Sequence, residues 1–198
     1  MVTQVCYKKS MPKVVDPVER RLEVAAAVWR VVRRDGLERA SVRNVAREAG
    51  LSAGSLRHYF ATQSELFVFT LRMIMERIER RIAALPAEPD PRRRAERILA
   101  ELLPMDAERA AENEVWLAFT SRSMVDPELR ALRNEGYDAL RAGCRRLVEA
   151  LGSRNVESET DRLHALVDGL AVHAATRPDV ATPGAMRAAV AAHLDSLS

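Results

Sequence analysis

The 198-residue sequence lacks the features that mark membrane, secreted and metal-stabilised proteins. No apolar run reaches the roughly 18 residues of a membrane span, and no apolar stretch near the N-terminus is long enough for a signal peptide. The two cysteines, Cys6 and Cys144, are too few and too far apart for a disulfide framework or a metal-binding spacing. We therefore expect a cytoplasmic protein with two free thiols, no membrane partner, no metal and no cofactor.

Motifs for enzyme chemistry are also missing. The sequence contains no G-x-S-x-G, no phosphate-binding loop, no H-E-x-x-H and no paired cysteines. His164, Asp168 and His173 lie at positions i, i+4 and i+9, which cannot all share one face of a helix. We interpret these three as part of a helix surface or a dimer seam. A small helical enzyme or ligand carrier is the alternative class, but no residues support it, so we predict that the protein is not an enzyme.

The pattern of apolar residues predicts an all-α fold. Almost every segment follows the 3.6-residue period of a helix, and alternating β-branched runs bounded by turns are absent. Turn residues divide the chain into about nine helices, which form an N-terminal three-helix unit and a C-terminal helical part. The predicted helices cover about 17–35, 42–50, 53–60, 62–85, 90–103, 106–124, 127–151, 156–176 and 182–197.

The charge of the chain is unevenly distributed. Residues 1–60 contain 12 Lys or Arg and 6 Asp or Glu, whereas the remaining residues contain 19 and 22, so the N-terminal part is +6 and the rest is −3. This asymmetry fits an N-terminal module that binds a polyanion. Residues 1–16 have no periodicity, and we expect them to form a flexible basic arm, with Met11 as an alternative start.

The segment from Ser41 to Phe60 has the spacing of a helix-turn-helix. Two helices that cross steeply need a small residue at their contact, a turn residue that tolerates positive φ, and an apolar residue from the second helix. Ala46, Gly50 and Leu56 meet these needs. A purely structural helical hairpin is the alternative. If the second helix enters the major groove, Ala53, Gly54, Ser55, Arg57 and His58 point outward. Ser41 and Ser52 begin helices, whose free N–H groups favour phosphate.

The sequence SVRNVAREAGLSAGSLRHYFATQSEL resembles the DNA-binding signature of the TetR family, and the likeness covers about residues 20–67. LRHYF and the apolar C-terminal tail are similar to the betaine-repressor branch. The resemblance implies a homodimeric repressor released from a palindromic operator by a small-molecule effector. It implies that Ser55, Arg57 and His58 face base edges, while Ser41, Arg43, Tyr59 and Gln63 contact the DNA backbone. The family commonly has Tyr at position 57 and Lys at position 63, so the operator is not transferable.

The predicted division is a flexible arm at 1–16, a DNA-binding domain at 17–63 and an effector-binding and dimerisation domain at 64–198. Large or adaptable side chains in the C-terminal part either form an effector pocket or only fill the core. The candidates for effector contact are Phe69, Met73, Trp116, Phe119, Thr120, Ser123, Met124 and Tyr137. The resemblance implies that the last two helices form a four-helix bundle between subunits. The candidates for that interface are Leu163, Leu166, Val167, Leu170, Ala174, Met186, Val190 and Leu194. An activator, or a nucleoid-type DNA binder without a ligand, remains an alternative.

Overall fold

The computed structural model describes residues 16–197, and within that range it contains nine α-helices and no strand. The helices are α1 Pro17–Asp35, α2 Val42–Glu48, α3 Ala53–Arg57, α4 Gln63–Ala83, α5 Pro91–Leu102, α6 Ala107–Arg122, α7 Pro127–Ala150, α8 Val156–Thr176 and α9 Pro183–Asp195. A short 3-10 turn, Leu37–Arg39, precedes α2 and was not predicted. The all-α prediction is confirmed. The predicted arm except Asp16, together with Cys6 and Met11, lies outside the described residues.

Local sequence signals explain where the helices begin. Eight of the nine helices start with a side chain that accepts a hydrogen bond from a backbone N–H in the first turn, which satisfies a donor that the helix itself cannot pair. At the start of α4, Thr62 Oγ1 accepts from Glu65 N at 3.0 Å. Glu65 Oε2 accepts from the N–H of Ala61 at 2.8 Å, one residue earlier than in a standard capping box.

Two apolar cores hold the helices together. The first core contains side chains from α1 to α4 and also Val115 and Phe119 of α6 and Leu129 and Leu132 of α7. The second core lies among α5, α7, α8 and α9. Because the first core joins α1, α2 and α3 to α6 and α7, the N-terminal helices pack directly on the C-terminal ones. The two parts of the chain are therefore joined by close-packed side chains.

Candidate DNA-binding surface and ligand cavity

The helix-turn-helix geometry is built by the three residues that the spacing singled out. Ala46 and Leu56 are buried at the contact between α2 and α3, and Gly50 has a φ of 68° in the turn. The N–H of Leu51 donates to the carbonyl of Ala46 at 2.8 Å, which closes the end of α2. The turn thus requires a residue in the left-handed backbone conformation, which glycine adopts without strain. This arrangement fixes α3 on the surface of the N-terminal unit.

The residues expected to face bases lie on or next to α3. Ala53, Gly54, Arg57 and His58 are exposed, and Ser55 is half-buried. Ser52 Oγ accepts from the N–H of Ser55 at 3.0 Å and lies 2.8 Å from Ser55 Oγ, so the two hydroxyls share a hydrogen bond. The exposed polar side chains of this group are therefore Arg57 and His58, which are free to reach a groove.

The residues expected at the DNA backbone differ in whether their side chains already form contacts within the protein. Ser41 Oγ caps α2 by accepting from Asn44 N at 3.3 Å, and Arg43 is exposed. Tyr59 is half-buried against the first core. Gln63 Nε2 donates to the carbonyl of Ala40 at 2.9 Å, so this amide ties the start of α4 to the residues before α2.

The four arginines between residues 37 and 60 have no carboxylate partner among the described residues. Within residues 16–197, the side chains of Arg39, Arg43, Arg47 and Arg57 form no ion pair. By contrast, the α1 arginines Arg30, Arg33 and Arg34 are neutralised by acidic side chains. Sequence reasoning did not single out Arg39 and Arg47, because a charge count does not show which charges are paired. The unpaired guanidinium groups give this surface the positive charge that a polyanion requires.

A large cavity of about 1220 Å³ lies among α4, α5, α6, α7 and α8. Isoleucine and leucine side chains form much of its wall, including Ile74, Ile78 and Ile82 of α4. Of the predicted effector residues, Trp116, Thr120 and Tyr137 line the cavity, as do the polar side chains of Asn113 and Asn134. A cavity of this size and composition is suited to a mostly apolar ligand.

The other five predicted effector residues do not line this cavity. Phe119 is buried in the first core edge-on to Phe67, with ring centroids 4.9 Å apart, and Phe69 packs against Phe60 at 5.3 Å. Ser123 is buried and its hydroxyl donates to the Thr120 carbonyl, whereas Met124 is exposed on the surface. Met73 is half-buried but lies outside the cavity wall. The sequence grouped large side chains by type, while the helix face decides which of them meet the cavity, so effector contact by these five residues stays a prediction that this cavity does not support.

A network of buried charges forms the end of the cavity near α4, α5 and α6. Glu112 lines the cavity and its side chain is only 4% exposed. Arg81 donates to both oxygens of Glu112, at 2.9 and 2.7 Å, and Arg77 Nε lies 3.1 Å from Glu112 Oε1. Glu101 in turn pairs with Arg81 and Arg109. This end of the cavity is therefore polar but internally neutralised.

The same network reaches the N-terminal unit. The guanidinium of Arg77 lies 5.2 Å from the centre of the Trp29 ring on α1, within the range of a cation–π contact. On the neighbouring turn of α6, Glu114 pairs with Arg33 of α1 at 3.2 Å. The wall of the cavity and the first helix of the DNA-binding unit thus share an arginine.

His164 and Asp168 form part of the opposite wall. The interpretation as a helix surface was wrong for the buried His164, whereas the Asp168 side chain is 57% exposed. His164 is 3% exposed, its ring lies 4.4 Å from that of Tyr137, and its Nε2 lies 3.4 Å from Asp168 Oδ2. Burial raises the pKa of the Asp168 carboxyl, and the nearby His164 opposes this rise. His173 is exposed and lies outside this cavity wall. The sequence signal was the His–Asp pair at i and i+4 within an apolar stripe.

The free thiol of Cys144 lies on α7 and is buried in the second core. Burial, together with the negative charge of Asp168, raises the pKa of this thiol to about 12. The side chain therefore remains protonated at neutral pH and acts as an apolar group.

Most of the predicted dimer residues face the interior of the same chain. Five of them have relative exposures of 4% or less: Leu163, Val167, Met186, Val190 and Leu194. They pack against α5 and α7 in the second core, so they face the interior of their own chain, which does not support the predicted role in a dimer interface. Leu166, Leu170 and Ala174 are only half-buried. The apolar stripes are real, but their partners lie within one subunit, which periodicity alone does not reveal.

The described helices include none that is long and apolar enough to cross a membrane. Among residues 16–197, no group of three or more His, Cys, Asp or Glu side chains is arranged to hold a metal ion.

Comparison with known families gives two matches that together cover most of the chain. Residues 24–68 match the model described as "Bacterial regulatory proteins, tetR family". Residues 91–198 match the model described as "BetI-type transcriptional repressor, C-terminal". The two segments correspond to the DNA-binding surface and to the helices that enclose the cavity from α5 onward.

Whole-chain comparisons agree with these matches. The chain is 36% identical over 195 residues to the HTH-type transcriptional regulator PksA of Bacillus subtilis, which covers 94% of each protein. It superposes on a transcriptional regulator from Rhodococcus sp. Rha1 with a TM-score of 0.83 and 32% identity, over 89% of this chain and 95% of that one. A regulator from Saccharomonospora viridis, solved in complex with choline, has a TM-score of 0.78 and 25% identity, over 90% and 95% of the two chains.

Proposed function

Because the chain belongs to the TetR family of DNA-binding transcriptional regulators, with a BetI-type repressor C-terminal part, we propose that it is a homodimeric repressor released from a palindromic operator by a small molecule. The proposed domains are residues 17–63 for DNA binding and 64–198 for effector binding and dimerisation. The observation that carries the proposal is the shared contact at Arg77, which joins the cavity residue Glu112 to Trp29 of α1.

The proposed DNA contacts divide into two groups. Arg57 and His58 at the end of α3 reach base edges, together with Ser55 if its hydrogen bond to Ser52 is exchanged for one to DNA. Arg43, Tyr59 and the N-terminus of α2 at Ser41 contact phosphates, because exposed guanidinium groups and free helix N–H groups favour anions. Gln63 contributes mainly by holding α4 to Ala40, although its amide has a second N–H that can reach a phosphate.

The proposed dimer uses the solvent-facing sides of α8 and α9. These sides carry small exposed residues, including Ala165 of α8 and Ala185, Ala188 and Ala192 of α9. Small side chains allow helices from two subunits to approach closely in a four-helix bundle. In such a dimer the two α3 helices must lie roughly 34 to 36 Å apart to enter successive major grooves.

The proposed effector binds in the cavity and changes this separation. The structure of the Saccharomonospora regulator in complex with choline supports the idea that a protein of this fold can bind a small molecule. For this chain, an occupant would displace α4 or α6, and the shared core and the Arg77 contact would carry the displacement to α1. A hundredfold loss of operator affinity requires that the effector favours the released form by about 2.7 kcal/mol.

The experiment begins with selection of DNA fragments by the purified protein, followed by anisotropy measurements on the selected site. We expect a palindromic consensus, a steep salt dependence and a stoichiometry of two chains per site. Choline and other small organic cations are then titrated into the complex. By linkage, calorimetry should show that a compound which lowers operator affinity loses its own affinity by the same factor when operator is bound.

Two outcomes would contradict the proposal. Binding to all sequences alike would indicate a nucleoid-type binder. A selective complex that no cavity ligand weakens would remove the effector from the mechanism and leave a regulator of another kind, such as an activator.

A further inference from the structure

One buried polar atom in the cavity wall has no hydrogen-bond partner among the described residues. Six side-chain atoms in residues 16–197 are buried and unpaired in this way, and of these only His164 Nε2 belongs to a residue that lines the cavity. A buried nitrogen without a partner costs free energy unless something else satisfies it. A bound molecule that supplies a hydrogen-bond donor there would satisfy this nitrogen.

The carboxylate beside this nitrogen also lacks a permanent partner. Glu88, Glu101 and Glu112 of the same cavity each form an ion pair with an arginine. The single charged contact of Asp168 within the described chain is His164, at 3.4 Å and without hydrogen-bond geometry. The Asp168 side chain is 57% exposed, and the partial burial of its carboxyl raises its pKa and disfavours the ionised form. A positive charge next to Asp168 would remove that penalty.

The two atoms are spaced to accept protons from one group. When the proton of neutral His164 is on Nδ1, its Nε2 is an acceptor, and Asp168 Oδ2 is a second acceptor 3.4 Å away. An ammonium group with N–H bonds can lie against both atoms. An alcohol has only one proton and no charge to offset Asp168, an anion is repelled, and a quaternary ammonium has no proton to donate. The Tyr137 ring, stacked on His164 at 4.4 Å, adds an aromatic surface that favours a cation.

We propose that the effector is a protonated amine whose N–H groups bind between His164 and Asp168 and whose apolar body lies along the isoleucines of α4. This inference deepens the proposed function and rests on it for the consequence of binding, but the chemistry of the site can be measured without DNA. It distinguishes an N–H-bearing cation from a quaternary ammonium such as choline. The volume of about 1220 Å³ leaves ample room for the apolar body.

The test uses four probes with the same decyl chain: decylamine, decyltrimethylammonium, decanol and decanoate. Their binding to the full-length protein is measured by calorimetry at neutral pH, below their aggregation concentrations and without DNA. Decylamine is protonated at this pH and carries three N–H bonds, whereas the quaternary cation carries none. We expect the amine to bind about tenfold or more tightly than the other three, the factor that one charge-assisted hydrogen bond provides. Equal affinity for the amine and the quaternary cation overturns the proposal.

Three variants assign the preference to this pair of residues. Asp168→Asn and His164→Phe should each bring the ratio of amine to quaternary affinity close to one, the second while keeping a ring against Tyr137. Glu79→Gln is the matched control, because Glu79 is an exposed acid on the same cavity wall with no ion pair in the described structure. A loss of preference in Glu79→Gln equal to that in Asp168→Asn would mean that only the net charge of the cavity matters, which overturns the proposal.

Operator release is measured separately with the same four probes. If the amine binds with the expected preference but leaves the operator complex intact, the proposed function fails while the assignment of the site stands. If all four probes release the operator equally, the proposed function stands and the protonated-amine assignment fails. Circular dichroism of each variant confirms that a lost preference does not come from unfolding.

Discussion

At the scale of single residues, internal hydrogen bonds separate the polar side chains that hold the DNA-binding unit together from those that remain free to bind. Ser41 and Ser52 cap α2 and α3, and Gln63 holds the Ala40 carbonyl. Arg43 and Arg57 are exposed and form no ion pair with the described residues. Substitutions of the two arginines should therefore change DNA binding with little effect on folding.

We expect Arg57→Ala and Arg43→Ala to weaken DNA binding in different ways. Arg57 lies at the end of α3, where it can reach bases, and its loss should cost about 1 to 3 kcal/mol on the preferred site and less on scrambled DNA. Arg43 lies on α2, and its loss should weaken binding to both DNAs alike and reduce the salt slope by about one. Anisotropy over a salt series measures both effects. If Arg57→Ala lost the same affinity on the preferred site and on scrambled DNA, Arg57 would contact the DNA backbone and not the bases.

A glycine in the cavity wall offers a second test at this scale. A Cβ at Gly136 of α7 would lie 2.7 Å from Trp116 Cη2, so alanine forces the indole to move. Overpacking of this kind costs about 1 to 3 kcal/mol, which outweighs the gain of about 1 kcal/mol from replacing a helical glycine. Urea unfolding of Gly136→Ala should show a net loss of stability and an altered Trp116 emission.

Gly143 is the matched control on the same helix. An added Cβ there meets only the flexible end of Arg146, at 3.9 Å. Gly143→Ala should therefore stabilise the protein by about 0.5 to 1 kcal/mol. If Gly136→Ala were stabilising to the same extent, the Trp116 ring would not be confined against α7.

At the scale of secondary-structure elements, α4 connects the two functional regions. Its first turn contacts the DNA-binding unit through Gln63, and Ser64 Oγ donates to Asp126 Oδ2, the N-cap of α7, at 2.7 Å. Its second half presents Ile74, Ile78 and Ile82 to the cavity. Because a helix is stiff over this length, an occupant that pushes the second half also moves the first turn.

Two arginines of α4, Arg77 and Arg81, share the buried acid Glu112, and we expect Glu112→Gln to destabilise the protein by about 1 to 3 kcal/mol. The substitution leaves Arg77 and Arg81 without their most buried counter-charge, and removing one partner of a buried pair is costly. Denaturant unfolding measures the change. Glu108→Gln is the control, since Glu108 also pairs with Arg77 but is 67% exposed, so its loss should cost less than about 1 kcal/mol. Equal effects would show that burial of Glu112 adds nothing.

At the scale of the whole molecule, the proposed dimer is tested by a charge on the solvent-facing side of α9. Ala188→Glu should shift the sedimenting species from twice 22.1 kDa toward a folded monomer, because a buried carboxylate opposes close helix packing. Ala131→Glu, on an exposed position of α7, is the control and should leave the mass unchanged. An Ala188→Glu protein that remains dimeric would place the interface elsewhere. Val190 is unsuitable for this test, because it is 4% exposed and a charge there would disrupt the core.

The sequence predicted the local structure closely because short-range chemistry controls it. Pro17 is the first residue of α1 and Gly36 follows its last residue. The Thr62 and Glu65 side chains stabilise the start of α4, and Gly50 permits the turn of the helix-turn-helix. Each of these signals acts within a few residues, through a backbone N–H, a fixed φ or a positive φ. The same reasoning placed Arg57 on the outward face, because a three-residue contact pattern fixes which face of α3 is buried, whereas Arg47 of α2 was not singled out.

The chain by itself thus determined the all-helical fold, the positions where the helices begin and the outward face of the recognition helix. Only the tertiary structure decided which partner covers each apolar stripe, because periodicity defines a face without naming its neighbour. It placed Val190 and Leu194 in the core of the same chain and Phe119 beside Phe67, and it brought His164 and Asp168 opposite Tyr137 of α7. A ligand site is built from helices that are distant in sequence, so its residues become neighbours only through packing.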